Sequence, residues 1–270
     1  MQNISNYPKL DAIDVRLISQ RAKEGVETQL LVIQTPFGYR HMADLFRPQT
    51  RESCAAILYL HWYEPSSPDS NRSQFAEEAR EMARSGAVCL LVETLWSDPD
   101  FFLKRTQAED LQNSVEEIVN LRRAMDLILS QPGVDAGRFA LVGHDFGGMY
   151  GVVAGSVDRR PTGYVVMAAT PRFPDWYLYS PKLEGIAREE FIRQFSPLDP
   201  ITHIPNLSPA PVLFQFGTDD PHVPRDRAQE FFRAAKQPRE IKWYEAGHGL
   251  NAEAASDRRK WLKEKLGLRE

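Results

Sequence analysis

Apolar positions along the chain follow two rhythms, and the change between them falls near Pro48. Before it, apolar and polar residues alternate over 15–19, 28–33 and 40–46, with breaks at Pro36 and Gly38. A period of two turns one face of a strand to a core and the other to water, so these stretches are expected to form antiparallel strands at a sheet edge. After it, apolar residues come in short unbroken runs at 55–60, 87–92, 139–142, 164–168, 212–216 and 241–244. A strand without a polar side is covered on both faces, which is the condition of a parallel sheet between layers of helices. The intervening segments have helical spacing, clearest over 108–129, where Leu111, Val115, Ile118, Ala124, Met125 and Ile128 share broad apolar faces and Pro132-Gly133 supplies the stop. From 170 to 210 the strand–helix rhythm gives way to Pro, Trp, Tyr and Phe. A segment of that length inside a compact domain is expected to be a lid.

Composition narrows this picture. With 270 residues, 42% of them hydrophobic, the chain can bury one large core, so a single domain over 1–270 carrying the 170–210 insertion is expected. The net charge of −4 and the lack of a basic stripe argue against nucleic acid. The run Arg258-Arg259-Lys260 falls on a predicted C-terminal helix, where it is expected to be a solvated face. Residues 1–10 are polar without a basic-then-apolar pattern, and no stretch approaches the roughly 18 apolar residues of a membrane span. A cytoplasmic protein is therefore expected. Cys54 and Cys89 border or occupy predicted buried strands, where a thiol behaves as a small apolar side chain, and their spacing gives no zinc site.

The chemistry concentrates after the run ending at Val142, in Gly143-His144-Asp145-Phe146-Gly147-Gly148. The spacing is that of a tight strand-to-helix turn whose usual central residue is a serine nucleophile. A carboxylate there attacks an sp³ carbon more readily than a carbonyl, which shifts the chemistry from acyl towards alkyl transfer. A short acidic residue could instead cap the helix that follows. Two more loops follow predicted strands: Gly217-Thr218-Asp219-Asp220-Pro221-His222-Val223-Pro224, and Glu245-Ala246-Gly247-His248-Gly249. They complete the order nucleophile, acid, histidine at the carboxyl edge of one sheet. The acid is Asp220 or Asp219, and His248 is either the base or a plain loop histidine. His41, His203 and His222 have no such setting and receive no role.

From about residue 26 onwards the chain resembles the α/β-hydrolase superfamily, with a general layout similar to its dienelactone-hydrolase-like branch. Gly143-x-Asp145-x-Gly147 matches the elbow, Gly217-x-x-Asp220-x-x-Val223-Pro224 the acid loop and Gly247-His248-Gly249 the histidine loop. The resemblance implies an α/β-hydrolase fold: a mostly parallel eight-stranded sheet with helices on both faces and a short lid. It favours Asp220 as the acid, and it implies an oxyanion hole from the backbone N–H groups of Trp62 and Phe146, with His61 orienting that loop and no metal or organic cofactor.

An aspartate at the elbow is shared with haloalkane and haloacid dehalogenases and with epoxide hydrolases. In those enzymes the carboxylate displaces a leaving group and becomes an alkyl ester, which histidine-activated water then cleaves. Three departures weaken that likeness. The tryptophan after the nucleophile is Phe146, no arginine follows it, and the His-Gly-x-Pro loop becomes the longer His61-Trp62-Tyr63-Glu64-Pro65 without its glycine. Tyr177 and Tyr179 are lid phenols that could open an epoxide or could be apolar wall, and His61, Trp96 and Trp176 are expected around the substrate. Three functions follow: a hydrolase forming a covalent Asp145 ester on a small halogenated or epoxide substrate; a dienelactone-hydrolase-like ester or lactone hydrolase, in which Asp145 could act as a base on water; or a non-catalytic small-molecule binding protein. A small apolar or aromatic substrate is expected, and a homo-oligomer is compatible with the sequence.

Overall fold

The computed structural model describes residues 4, 13–50, 52–67 and 69–269. Apart from Ile4, the polar opening at 1–10 lies outside the described residues. The alternating region forms β1 (Val15–Lys23), β2 (Val26–Gln34) and β3 (Arg40–Pro48). Strands and helices then alternate as β4 (Cys54–Leu60), α1 (Ala76–Arg84), β5 (Ala87–Val92), α2 (Phe101–Lys104), α3 (Gln107–Leu129), β6 (Val134–His144), α4 (Phe146–Val157) and β7 (Gly163–Met167). The insertion contributes α5 (Pro174–Tyr177), α6 (Gly185–Phe195) and α7 (Pro200–His203), and the chain closes with β8 (Val212–Gly217), α8 (Arg225–Ala234), β9 (Arg239–Tyr244) and α9 (Ala252–Leu266).

These strands make one sheet in the order β1-β2-β3-β5-β4-β6-β7-β8-β9. The pairings from β1 to β3, and β3 with β5, are antiparallel; the others are parallel. Among the described residues the sheet has nine strands rather than eight. Each alternating stretch became a strand, and β1, exposed along most of its length and paired only with β2, is the outermost.

The apolar runs from 55–60 to 212–216 are buried on both faces, whereas 241–244, on the edge strand β9, is only partly buried. Neighbours on a strand point to opposite sides, so Leu58 joins the core with Ile118 and Met149 of α3 and α4, while Ile57 joins Met82 and Leu262 of α1 and α9. Cys54 and Cys89 are buried free thiols. One expectation fails at α9. Arg258 is buried, its guanidinium donating to Glu78 of α1 and to Gln215 Oε1 of β8 at 3.1 Å. A charge pattern cannot reveal that a carboxylate distant in sequence waits under the helix; only Arg259 and Lys260 of that run reach solvent.

Phe173, Tyr177, Phe191 and Phe195 of the insertion are buried in the core above α4 and hold the segment to the body. Among the described residues no helix is long and apolar enough to cross a membrane.

Candidate active site

Asp145 lies between the end of β6 and the start of α4 with φ 55° and ψ −118°. That left-handed conformation is strained for a residue with a side chain, and it reverses the chain so that the carboxylate stands at the sheet edge. Two glycines make the turn possible. A Cβ on Gly143 would lie 2.3 Å from the carbonyl oxygen of Gly147, and one on Gly147 would lie 2.2 Å from that of Leu60. The second contact explains how the elbow sits against the end of β4, whose Leu60 is paired with Gly143.

The parallel pairing of β8 with β9 sets Gly217 beside Tyr244, so the loops that leave these strands lie together. His248 Nδ1 donates to Asp220 Oδ2 at 2.8 Å. The other oxygen of Asp220 accepts the backbone N–H groups of His222 and Val223 at 2.8 and 3.2 Å. Burial works against its charge, yet His248 and these N–H groups hold the carboxyl below its ordinary range. Asp219 is exposed, and its backbone N–H is tied to Ala246 O. Asp220, and not Asp219, is therefore the carboxylate bonded to His248.

His248 Nε2 faces Asp145 Oδ2 at 4.0 Å, with the two side chains only 10% and 3% exposed. Neither His248 Nε2 nor Asp145 Oδ1 has a hydrogen-bond partner among the described residues. Burial favours neutral imidazole, but the carboxylates of Asp145 and Asp220 outweigh it and raise the His248 pKa to about 9. Burial likewise raises the pKa of Asp145, and the facing imidazole opposes it. His248 is thus held protonated up to about pH 9, facing the carboxyl groups of Asp145 and Asp220. The gap between Nε2 and Oδ2 suits a water hydrogen-bonded to both, standing off the line that joins them.

The oxyanion side differs from expectation. The N–H of Phe146 opens α4 and faces the Asp145 carboxylate. The N–H of Trp62 donates instead to Gln74 Oε1 at 3.0 Å, so it is already engaged. Gln74 Nε2 donates to His144 Nδ1 at 2.6 Å, and His144 Nε2 donates to the carbonyl of His248 at 2.9 Å. His144 is buried with its pKa well below normal, which suits a neutral ring that accepts at one nitrogen and donates at the other. The Trp62 indole stacks on both His144 and His248, with centroids at 4.7 and 5.1 Å. Spacing gave no signal for Gln74, because the 3-10 turn Arg72–Phe75 that carries it is brought to Trp62 and His144 only by the tertiary fold.

The predicted pocket residues separate into lining and core. His61 is buried and its pKa is lowered to about 4 by burial. Its Nδ1 donates to Trp62 O at 2.7 Å, and its Nε2 accepts from Ser97 Oγ at 2.8 Å. Both of its ring nitrogens are therefore engaged, leaving none for a substrate. Trp96 is also core, stacked on Phe146 and Tyr150 with its indole N–H on His61 O at 2.9 Å. Tyr177 is buried with its hydroxyl paired to Tyr150 and Ser114, while Tyr179 is 63% exposed. The two phenols therefore do not face one substrate together, as paired epoxide-opening acids would. Trp176 lies beside the acid–histidine pair: its ring meets His248 edge-on at 5.7 Å and His222 at 5.4 Å. His222, which sequence left without a role, also lies against His248 at 5.1 Å. Among the described residues no group of three or more His, Cys, Asp or Glu is arranged to hold a metal ion.

The sheet, the elbow and the acid–histidine pair at the carboxyl edge define an α/β-hydrolase-fold hydrolase. Residues 97–265 match the dienelactone hydrolase family, and the chain belongs to it. Solved structures share the fold at low identity. The acetyl xylan esterase from Paenibacillus sp. R4 is 17% identical, with a TM-score of 0.79 over 97% of this chain and 91% of that one. Acetyl xylan esterase 1 from Thermoanaerobacterium sp. JW/SL YS485 is 14% identical, with a TM-score of 0.78 over 97% and 90%. An S-formylglutathione hydrolase from Agrobacterium tumefaciens is 18% identical, with a TM-score of 0.69 over 93% and 99%. No curated protein matches the chain in sequence.

Proposed function

We propose that this protein hydrolyses a small carboxylic ester or lactone, with Asp145 as general base on water, His248 as general acid and Asp220 as the group that fixes the imidazole. Membership of the dienelactone hydrolase family supports the substrate class. So do the esterase and thioester-hydrolase names of structurally similar proteins. The observation that carries the mechanism is the pair His248 Nε2 and Asp145 Oδ2, which face each other at 4.0 Å. With the histidine pKa raised to about 9, the carboxylate rather than the imidazole is the base near neutrality.

Water attacks the carbonyl carbon as Asp145 takes its proton, and the oxyanion that forms lies towards the Phe146 N–H at the start of α4. Collapse breaks the bond to the leaving oxygen, which receives the proton of His248 Nε2. The carboxylic acid and alcohol leave, and Asp145 returns a proton to the imidazole through water. Trp62 N–H can join as a second donor only if Gln74 releases it. A small substrate fits this reading, since Trp62 and Trp176 both pack against His248. The two buried free thiols suit a reducing cytoplasm.

One observation favours a second reading. Asp145 occupies the nucleophile's seat, with φ 55° and an unpaired Oδ1, as a covalent alkyl-ester mechanism on a halide or epoxide requires. A single turnover in heavy-oxygen water with enzyme in excess separates the two. General-base hydrolysis of p-nitrophenyl acetate or a lactone labels the product acid and leaves the Asp145 peptide unlabelled. Label in that peptide after a haloacid or epoxide turnover would replace the proposal with the covalent mechanism.

A further inference from the structure

An ester can react at Asp145 and His248 only by meeting both, and in this structure the atoms it must meet are closed off. Asp145 Oδ1 and His248 Nε2 are buried as well as unpartnered among the described residues. Aromatic rings crowd the pair. Trp62 stacks on His248 at 5.1 Å, Trp176 meets it edge-on at 5.7 Å, and the Phe146 ring lies 5.9 Å from that of Trp176. A substrate enters only if part of this cover moves.

Two of the rings are fixed. Trp62 donates its N–H to Gln74 Oε1 at 3.0 Å and accepts at its carbonyl from Asn71 Nδ2 at 3.2 Å, while Phe146 is fully buried against Trp96 and Phe101. Trp176 differs. Its indole N–H is buried without an acceptor among the described residues, although such a group ordinarily finds one. An unmet donor costs free energy that contact with water restores, so no hydrogen bond holds the ring where it is. The ring meets buried Phe146 and His248, and it also meets His222 and Tyr179, which are exposed, at 5.4 and 6.4 Å. It therefore stands between the reacting pair and solvent. Its backbone is pinned on either side, by Asp175 Oδ1 accepting from Arg227 of α8 at 3.2 Å and by the Tyr177 hydroxyl bonded to Ser114 at 3.2 Å. The movable part is the indole itself, turning about its side-chain bonds.

We propose that the Trp176 side chain is the door of the site and sets the size of ester admitted. The inference rests on the ester-hydrolase reading above and makes Trp176 a specificity-determining residue for that reaction. Swung out, the indole admits substrate and its N–H reaches water; swung in, it excludes solvent from Asp145 and His248. The bulk of the ring leaves room for a short acyl chain and rejects a long one. Its removal opens apolar space that further methylenes fill.

Hydrolysis of p-nitrophenyl acetate and p-nitrophenyl octanoate by the full chain tests this. Trp176→Ala raises the octanoate-to-acetate ratio of kcat/KM by about tenfold or more, and Trp176→Phe, which keeps a ring in the doorway, raises it less. Loss of stability alone would lower both rates and leave the ratio unchanged. An unchanged ratio in Trp176→Ala, or a larger rise in His222→Ala, would overturn the proposal. Alkylation of His248 by bromoacetophenone above pH 9, where the imidazole is neutral, reads entry without turnover when followed by peptide mass. Trp176→Ala accelerates it by about tenfold, and equal rates in wild type and variant would overturn the door. If the wild type cleaves neither ester, the hydrolase reading fails, and the alkylation rates still decide whether Trp176 controls entry.

Discussion

His248 between Asp145 and Asp220 makes a single proton decisive. In the general-base reading the imidazolium must donate to the leaving group, so the rate falls as pH rises through about 9 and also falls in acid as Asp145 becomes protonated. In the covalent reading neutral imidazole must activate water, so ester cleavage speeds up through the same alkaline window. A pH–rate profile with p-nitrophenyl acetate, set beside one with an epoxide, reads the difference. Stability carries the same signature. A histidine whose pKa rises from 6.5 to about 9 on folding stabilises fully below 6.5, and that contribution disappears as pH passes 9. The urea-unfolding gap between wild type and His248→Gln should therefore shrink across that interval, by up to about 3 kcal/mol. A flat gap would mean that the histidine is neutral in the fold. Asp145→Asn should lower turnover by roughly 10²–10⁴ without loss of structure. Asp145→Ser should restore serine-type ester cleavage, since the turn around it is built as an elbow.

The three loops that form the site were legible because each follows a strand of the parallel sheet and carries glycines where the backbone must turn. Asp145, Asp220 and His248 could be named from motif order alone, and the structure brings them together. What surrounds them was not legible, for two physical reasons. Gln74 reaches Trp62 N and His144 Nδ1 through tertiary folding, across gaps no spacing rule covers. Aromatic residues in an insertion look alike in sequence, yet Tyr177 became core while Trp176 met the His248 ring. The Gln74 bridge joins the elbow to the loop after β4, and its removal has a defined consequence. Gln74→Leu leaves His144 Nδ1 and the Trp62 N–H without their partner, so chemical denaturation should show a loss of roughly 1–3 kcal/mol. A change within a few tenths of a kcal/mol would indicate that water replaces both bonds.

At the scale of the whole molecule, the order of apolar runs gave the parallel layers, and the alternation before Pro48 gave the antiparallel edge. The ion pair that ties the last helix to the sheet was hidden, since arginine on a helix ordinarily reads as surface. Arg258 and Glu78 are each 6% exposed, and Gln215 of β8 completes the hydrogen bonding, so α9, α1 and the sheet are joined through one buried guanidinium. Such a pair contributes little net stability while intact, because desolvation offsets attraction, but half of it is costly to leave behind. Glu78→Ala should therefore destabilise the protein by about 3–5 kcal/mol in urea unfolding, whereas Glu78→Ala combined with Arg258→Leu should recover much of that loss. α9 begins directly after the His248 loop, with Asn251 capping it through the N–H of Ala254 at 3.0 Å. The single variant should accordingly lose ester hydrolysis at lower temperature than the double variant does. If Glu78→Ala cost less than about 1 kcal/mol, Arg258 would have to reach water without its partner, and the anchoring of α9 would rest on apolar contacts alone.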